Sequence, residues 1–197
     1  LMSEWETKLK AIVSEVKNKD VGSLTGVPSW MMVLLQRVLK DTGKKSISEV
    51  WPNLEVFFHG GISFVPYREQ YKQLIGKDIR YYEIYNASEG FFGIQDRFGS
   101  DEMLLMLDYG IFYEFIPMDT FGTENAKAVS LENVELGKNY AVVITTNGGL
   151  WRYLIGDTIR FTDLKPFRFK ISGRTKHYIN AFGEELMIDN VEAALSK

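Results

Sequence analysis

Asp157 stands in the run LWRYLIGDTIRF, residues 150–161, in one row with Trp151, Tyr153, Ile155, Ile159 and Phe161. The run is rich in aromatic and branched side chains and reads as a β-strand, whose successive side chains point to opposite faces. A carboxylate on an apolar face is costly unless it is paired, protonated or open to a cleft. Spacing alone leaves three readings. Asp157 can pair with Arg152, Arg160 or Arg174, or a bulge at Gly156 can swing it to water. In the third reading it accepts two hydrogen bonds from a vicinal diol such as ribose, and Gly156 leaves room for the ligand.

Three further stretches carry polar groups in patterned places. In YEIYNASEGFFG, residues 82–93, a strand ends at Tyr85 and a hydroxyl and a carboxylate stand side by side at Ser88 and Glu89. The pair can be ordinary turn chemistry. Alternatively, Tyr85 offers a flat surface to a base, Ser88 bonds a phosphate oxygen, and Glu89 holds magnesium, which takes one or two carboxylates beside phosphate. In HGG, residues 59–61, Gly60 and Gly61 close a buried strand at the end where α/β sheets bind ligands. His59 is one of only two histidines, and its spacing to His177 gives no support to a metal site. In FRFKISGRTKHYINAFGEEL, residues 167–186, Phe167, Phe169 and Ile171 alternate with Arg168, Lys170 and Ser172. This predicts a strand with one wet face, leading into a basic turn at Gly173 to Lys176.

Composition limits the chemistry. The net charge of −3 over 197 residues offers no basic excess for a phosphate backbone, which argues against nucleic acid as a partner. Cysteine is absent, so disulfides, thiolate catalysis and Cys-based zinc sites are excluded, and a reducing, cytoplasmic setting fits. The most apolar window, WMMVLLQRVL, is too short for a membrane span and is interrupted by Gln36 and Arg37, and no secretory leader is visible. No G-x-S-x-G elbow or G-x-x-x-x-G-K-[ST] loop occurs, so serine hydrolysis and P-loop chemistry gain no support.

The elements that must position these residues follow from periodicity. Trp5, Leu9, Ile12, Val13 and Val16 predict a helix over residues 3–19, and Pro28 opens a second one that stops near Gly43. Ser46 and Glu49 look like a capping box for a short third helix. NLEVFFHGG, YREQYKQLIG and DIRYYEIY then read as strand, helix and strand, a parallel βαβ unit. From Phe91 onward the pattern becomes short strands with turns at Asp108-Tyr109-Gly110 and Asn147-Gly148-Gly149, which favours a barrel-like or antiparallel sheet. The expected class is α+β, divided into a partial α/β subdomain at 1–90, a β-rich subdomain at 91–183 and a terminal helix at 184–197. No Pro- or Ser-rich linker separates the parts.

The order of the motifs resembles the Gretchen Hagen family of acyl-acid amido synthetases, within the adenylate-forming enzymes. Tyr85, Ser88 and Glu89 stand in its Y-x-x-S-E motif, and Arg152, Tyr153, Gly156 and Asp157 in its Y-R-x-x-G-D motif, over about residues 50–190. The resemblance implies that Gly60 and Gly61 border the adenine and the bound acid. Tyr85 would pack on adenine, Ser88 contact phosphate, and Glu89 act in catalysis by binding Mg2+. Asp157 would hold the ribose hydroxyls with Arg174 near the same sugar, and Lys176 would be the hinge for a small C-terminal domain. It implies ATP, AMP and Mg2+ as cofactors, and a carboxylic acid and an amino acid as small-molecule partners, with no membrane or nucleic acid. The acid is activated as acyl-AMP and transferred to the amine as an amide. A ligase that delivers the acyl group to coenzyme A shares these motifs, and a non-catalytic interaction module could keep the fold. Neither the family's upstream phosphate loop nor its C-terminal lysine is recognisable, GSLTG at 22–26 being a faint look-alike. The resemblance therefore implies a central segment of a longer enzyme.

Overall fold

The computed structural model describes residues 4–175, 178–181 and 184–187, and divides the chain into two compact units, 1–84 and 85–197. The division falls inside a strand, where sequence composition had suggested a change near residue 90.

In the first unit, α1 (Trp5–Val16) starts where the Glu4 side chain accepts the Thr7 N–H, 3.0 Å away. β1 (Ser23–Gly26) follows, then α2 (Pro28–Thr42), which stops at Gly43 with φ 68°. β2 (Val56–His59), α3 (Arg68–Ile75) and β3 (Arg80–Ala87) form the expected βαβ unit, with β2 and β3 parallel and His59 opposite Glu83. GSLTG is no phosphate loop. Its Ser23–Gly26 segment is β1, an extra parallel strand on β2. The capping box is also absent: residues Ile47–Glu49 make one 3-10 turn, and the Ser46 hydroxyl bonds the Ser48 hydroxyl at 2.9 Å instead of capping it.

The core of this unit joins Leu9 and Val13 of α1, Leu35 and Val38 of α2, Phe57 of β2 and Tyr71 of α3. Phe57 and Tyr71 stack at 5.0 Å. Two of the polar atoms drawn inward find backbone partners, as burial demands. The Tyr71 hydroxyl donates to the Pro28 carbonyl at 2.7 Å, and the Trp51 indole donates to the Val16 carbonyl at 3.1 Å.

In the second unit β3 turns through Ser88 and Glu89 into β4 (Gly90–Ile94). Then come β5 (Met103–Leu105), β6 (Ile111–Pro117), β7 (Val129–Ser130), β8 (Asn139–Thr146), β9 (Tyr153–Leu164) and β10 (Phe167–Arg174). They pair antiparallel in the order β4-β5-β10-β9-β8-β6-β7. Gly110 and Gly149, in the two predicted turns, have φ 70° and 100°, a region glycine enters without the Cβ penalty. The inward face gathers Phe92, Tyr113, Phe115, Tyr140, Ile159, Phe161 and Phe169.

Two expectations fail locally. Arg168 is not on a wet face: the β9–β10 register shifts between Arg168 and Phe169, so both are buried, at 3% and 0% exposure. The terminal helix predicted from residue 184 does not begin there. Glu184–Met187 is a strand, β12, paired antiparallel with β11 (Tyr178–Ala181), so tertiary pairing overrides the helix-favouring Glu and Leu. The rest of that helix, 188–197, lies outside the described residues. Among the described residues no helix is long and apolar enough to cross a membrane.

Candidate functional site

β9 does not carry its apolar row as one continuous face. Trp151 precedes the strand and is 81% exposed, and Tyr153 is also exposed. Arg152 has φ 45°, a left-handed conformation uncommon outside glycine. Its N–H donates to the Thr145 hydroxyl at 3.0 Å, and its side chain pairs with Glu114 at 2.9 Å. Gly156 then takes φ 93°, breaking the alternation, and Asp157, Thr158 and Ile159 are buried in succession. A Cβ at Gly156 would meet no atom within 4 Å. Glycine is needed there for its backbone angle, and the space beside it is open.

Asp157 is 8% exposed and both carboxylate oxygens are held. The Tyr85 hydroxyl donates to Oδ2 at 2.6 Å, and Arg174 Nε donates to Oδ1 at 2.8 Å. Arg174 is the register partner of Asp157 across β9 and β10, just past a register shift between Ile171 and Gly173. Thr175 closes the same corner, its N–H donating to the Gly156 carbonyl at 2.8 Å. Of the readings the sequence left open, the ion pair with Arg174 is therefore present, and the kink at Gly156 coexists with it. An ionised carboxylate has about four acceptor positions, so two such bonds leave capacity for a diol.

Tyr85 is itself buried, its ring packed on Phe92 at 4.9 Å and Phe169 at 6.0 Å. Burial, with the Asp157 charge second, drives its phenol pKa far above the ordinary value, so it remains a neutral donor. Ser88 and Glu89 form the two-residue turn after β3, Ser88 exposed and Glu89 half-buried. Among the described residues no group of three carboxylates or histidines could hold a metal by itself. A single carboxylate at a turn suits magnesium only where phosphate and water complete the shell.

In the first unit, Gly60 ends β2 under tight contact, because a Cβ there would lie 2.3 Å from the Ile84 carbonyl oxygen. Gly61 has φ 82°. His59 is 4% exposed and stacks on Phe64 at 4.2 Å, and its Nδ1 has no hydrogen-bond partner among the described residues. Burial, with Arg68 second, lowers its pKa to about 4, so the ring is neutral. Lys176 and His177 lie outside the described residues. An open apolar groove of about 550 Å³ in the second unit runs along Ile111, Phe112 and Leu131, lined by none of the predicted site residues.

The sequence concealed the bond between Tyr85 and Asp157, which are 72 positions apart. The arrangement can be set beside known proteins. The GH3 family N-terminal domain matches residues 1–79, and the GH3 family central domain matches residues 104–174. The chain belongs to the GH3 family. Its curated relatives include the probable indole-3-acetic acid-amido synthetase GH3.1 of Arabidopsis thaliana, 32% identical over 197 residues, covering 94% of this chain and 31% of the relative. Indole-3-acetic acid-amido synthetase GH3.3 of Arabidopsis thaliana is 33% identical over 123 residues, covering 59% of this chain and 20% of the relative. This GH3 chain thus spans about a fifth to a third of the length of these relatives. The AtGH3.15 acyl acid amido synthetase in complex with 2,4-DB superposes with a TM-score of 0.66 at 15% identity, covering 95% of this chain and 42% of that one. A 2-hydroxyisobutyryl-CoA ligase gives 0.67 at 17%, covering 98% and 41%. These two likenesses establish a shared fold.

Proposed function

We propose that this chain is a segment of an ATP-dependent ligase that activates a carboxylic acid as acyl-AMP and transfers it to an amino acid as an amide. The observation that carries the reading is Asp157, a buried carboxylate with both oxygens held beside the open space at Gly156, in a chain of the GH3 family. The named relatives are amido synthetases, which favours an amide over a thioester product, while the fold is common to both.

The roles follow from chemistry at each residue. Asp157 accepts the two ribose hydroxyls, while Arg174, bonded to its Oδ1, lies near the same sugar. Ser88, at the exposed turn, bonds a phosphate oxygen. Glu89 would hold Mg2+, whose charge would offset that of the phosphates and of the departing pyrophosphate. Within the first unit, Gly60 and Gly61 offer bare backbone to adenine and acid, and Lys176 takes the hinge role. The substrate carboxylate attacks the α-phosphorus, and the bond to the pyrophosphate oxygen breaks. The amine then attacks the acyl carbon, the bond to AMP breaks, and the amine proton passes to solvent. The protein contributes positioning and fixed charge. The setting is the cytoplasm, and the missing parts of the site come from the remainder of the longer enzyme.

The test is calorimetric titration of the chain with a non-hydrolysable acyl-sulfamoyl adenosine, beside Asp157→Ala. Saturable binding, on the order of 0.1–1 mM for a segment, that the folded variant loses is the expected result. Equal binding by the variant would remove Asp157 from the nucleotide site.

A further inference from the structure

Tyr85 is engaged at both ends. Its ring is 7% exposed, with Phe92 tilted against it at 4.9 Å and Phe169 edge-on at 6.0 Å. Its hydroxyl lies 2.6 Å from Asp157 Oδ2. The residue sits near the end of β3, three positions before Ser88 and four before Glu89. One hydrogen bond therefore ties the hairpin that bears Ser88 and Glu89 to the strand that bears Asp157.

We propose that Tyr85 is a positioning residue: its hydroxyl fixes the Asp157 carboxylate in the orientation that accepts a ribose diol, and registers the Ser88-Glu89 turn against it. The proposal rests on the reading of Asp157 as the ribose acceptor. It assigns Tyr85 a binding contribution through its hydroxyl, acting on Asp157. The geometry explains why a carboxylate carrying one guanidinium bond needs a second. A single bond to Oδ1 leaves the group free to turn about its Cβ–Cγ bond, and the bond to Oδ2 fixes both oxygens. The phenol suits the task because, kept neutral by burial, it donates at every working pH.

The experiment titrates the full 197-residue chain and its Tyr85→Phe variant with AMP and with 2′,3′-dideoxy-AMP, after matched circular dichroism melts. Tyr85→Phe keeps the ring packing and removes only the hydroxyl. Loss of a hydrogen bond to a charged group predicts AMP binding about tenfold weaker. The dideoxy nucleotide should bind wild type and variant within about twofold, because there is no diol to orient. Unchanged AMP affinity in Tyr85→Phe, with Asp157→Ala still losing it, overturns the positioning role and leaves the ribose reading standing. An equal loss on both nucleotides also overturns it, because the effect would then not pass through the diol. If wild type does not bind AMP, or binds both nucleotides alike, the ribose reading falls and the positioning role falls with it. Should Tyr85→Phe not fold, 3-fluorotyrosine placed at position 85 keeps ring and hydroxyl while strengthening the donor. It should change AMP affinity alone, and no change would overturn the proposal.

Discussion

Arg174 and Asp157 face each other across the β9–β10 pairing, with the guanidinium Nε 2.8 Å from the carboxylate. The two are unequally placed, since the Arg174 side chain is 38% exposed and that of Asp157 only 11%. Removing either partner therefore has different consequences. Arg174→Ala strands a buried anion on Tyr85 alone, whereas Asp157→Asn leaves a guanidinium that water can reach. We expect Arg174→Ala to cost about 1–3 kcal/mol and Asp157→Asn about 1 kcal/mol or less, read from urea midpoints. The reverse order would show that the pair is not what stabilises this corner.

His59 gives a pH signature. Its folded pKa, about 4, lies below the ordinary 6.5 because burial penalises the imidazolium, with Arg68 adding repulsion. The unfolded chain therefore binds the proton more readily, and stability is lost as pH falls from about 6.5 to about 4. The full swing is about 3 kcal/mol for this one group. Unfolding free energies measured by urea over that range should fall more steeply for wild type than for His59→Phe. Parallel profiles would mean that His59 reaches solvent in the fold.

How far these arrangements were legible in the sequence depends on the distance over which each is decided. The βαβ unit and the strands β4, β5, β6, β8, β9 and β10 were visible because apolar period and turn glycines act locally, whereas β7, two residues long, was not. Asp157 was visible as an anomaly, a charge in an apolar row. Its partners were only partly so, because Arg174 was one of three candidate cations and Tyr85 gave no sign of turning its hydroxyl to Asp157. The row itself was misjudged at Trp151 and Tyr153, since the left-handed Arg152 and Gly156 interrupt the alternation. β1 was missed because four residues, SLTG, carry too little period and pair only with a strand 33 positions away. Arg168 looked solvated until a register shift turned it inward.

That buried arginine yields a third prediction. Arg168 is 3% exposed and is gripped by both oxygens of Asp96, Nη2 at 2.8 Å from Oδ2, while its Nε has no partner among the described residues. Asp96→Ala leaves a buried cation without its counter-charge and should cost about 3 kcal/mol. Arg168→Met should cost less, because Asp96 is 33% exposed and can hydrate. The neighbouring Lys170–Asp101 pair is surface-exposed, and Asp101→Ala should change stability by about 0.5 kcal/mol or less. Guanidinium denaturation of the three variants tests the ranking, and similar losses for Asp96→Ala and Asp101→Ala would refute the buried cation's importance.

The glycine pair after β2 separates two reasons for glycine. At Gly60 a Cβ would lie 2.3 Å from the Ile84 carbonyl oxygen, backbone against backbone, so nothing flexible can move aside. Gly60→Ala must push β2 and β3 apart or unseat the residues that follow, at a cost of about 2–4 kcal/mol. Gly43, at the end of α2, has φ 68° but open space around the missing Cβ. Gly43→Ala meets only the conformational penalty, about 1 kcal/mol. Thermal melts of the two variants should therefore differ, with Gly60→Ala lower by several degrees. Equal melting would mean that β3 yields to the methyl group.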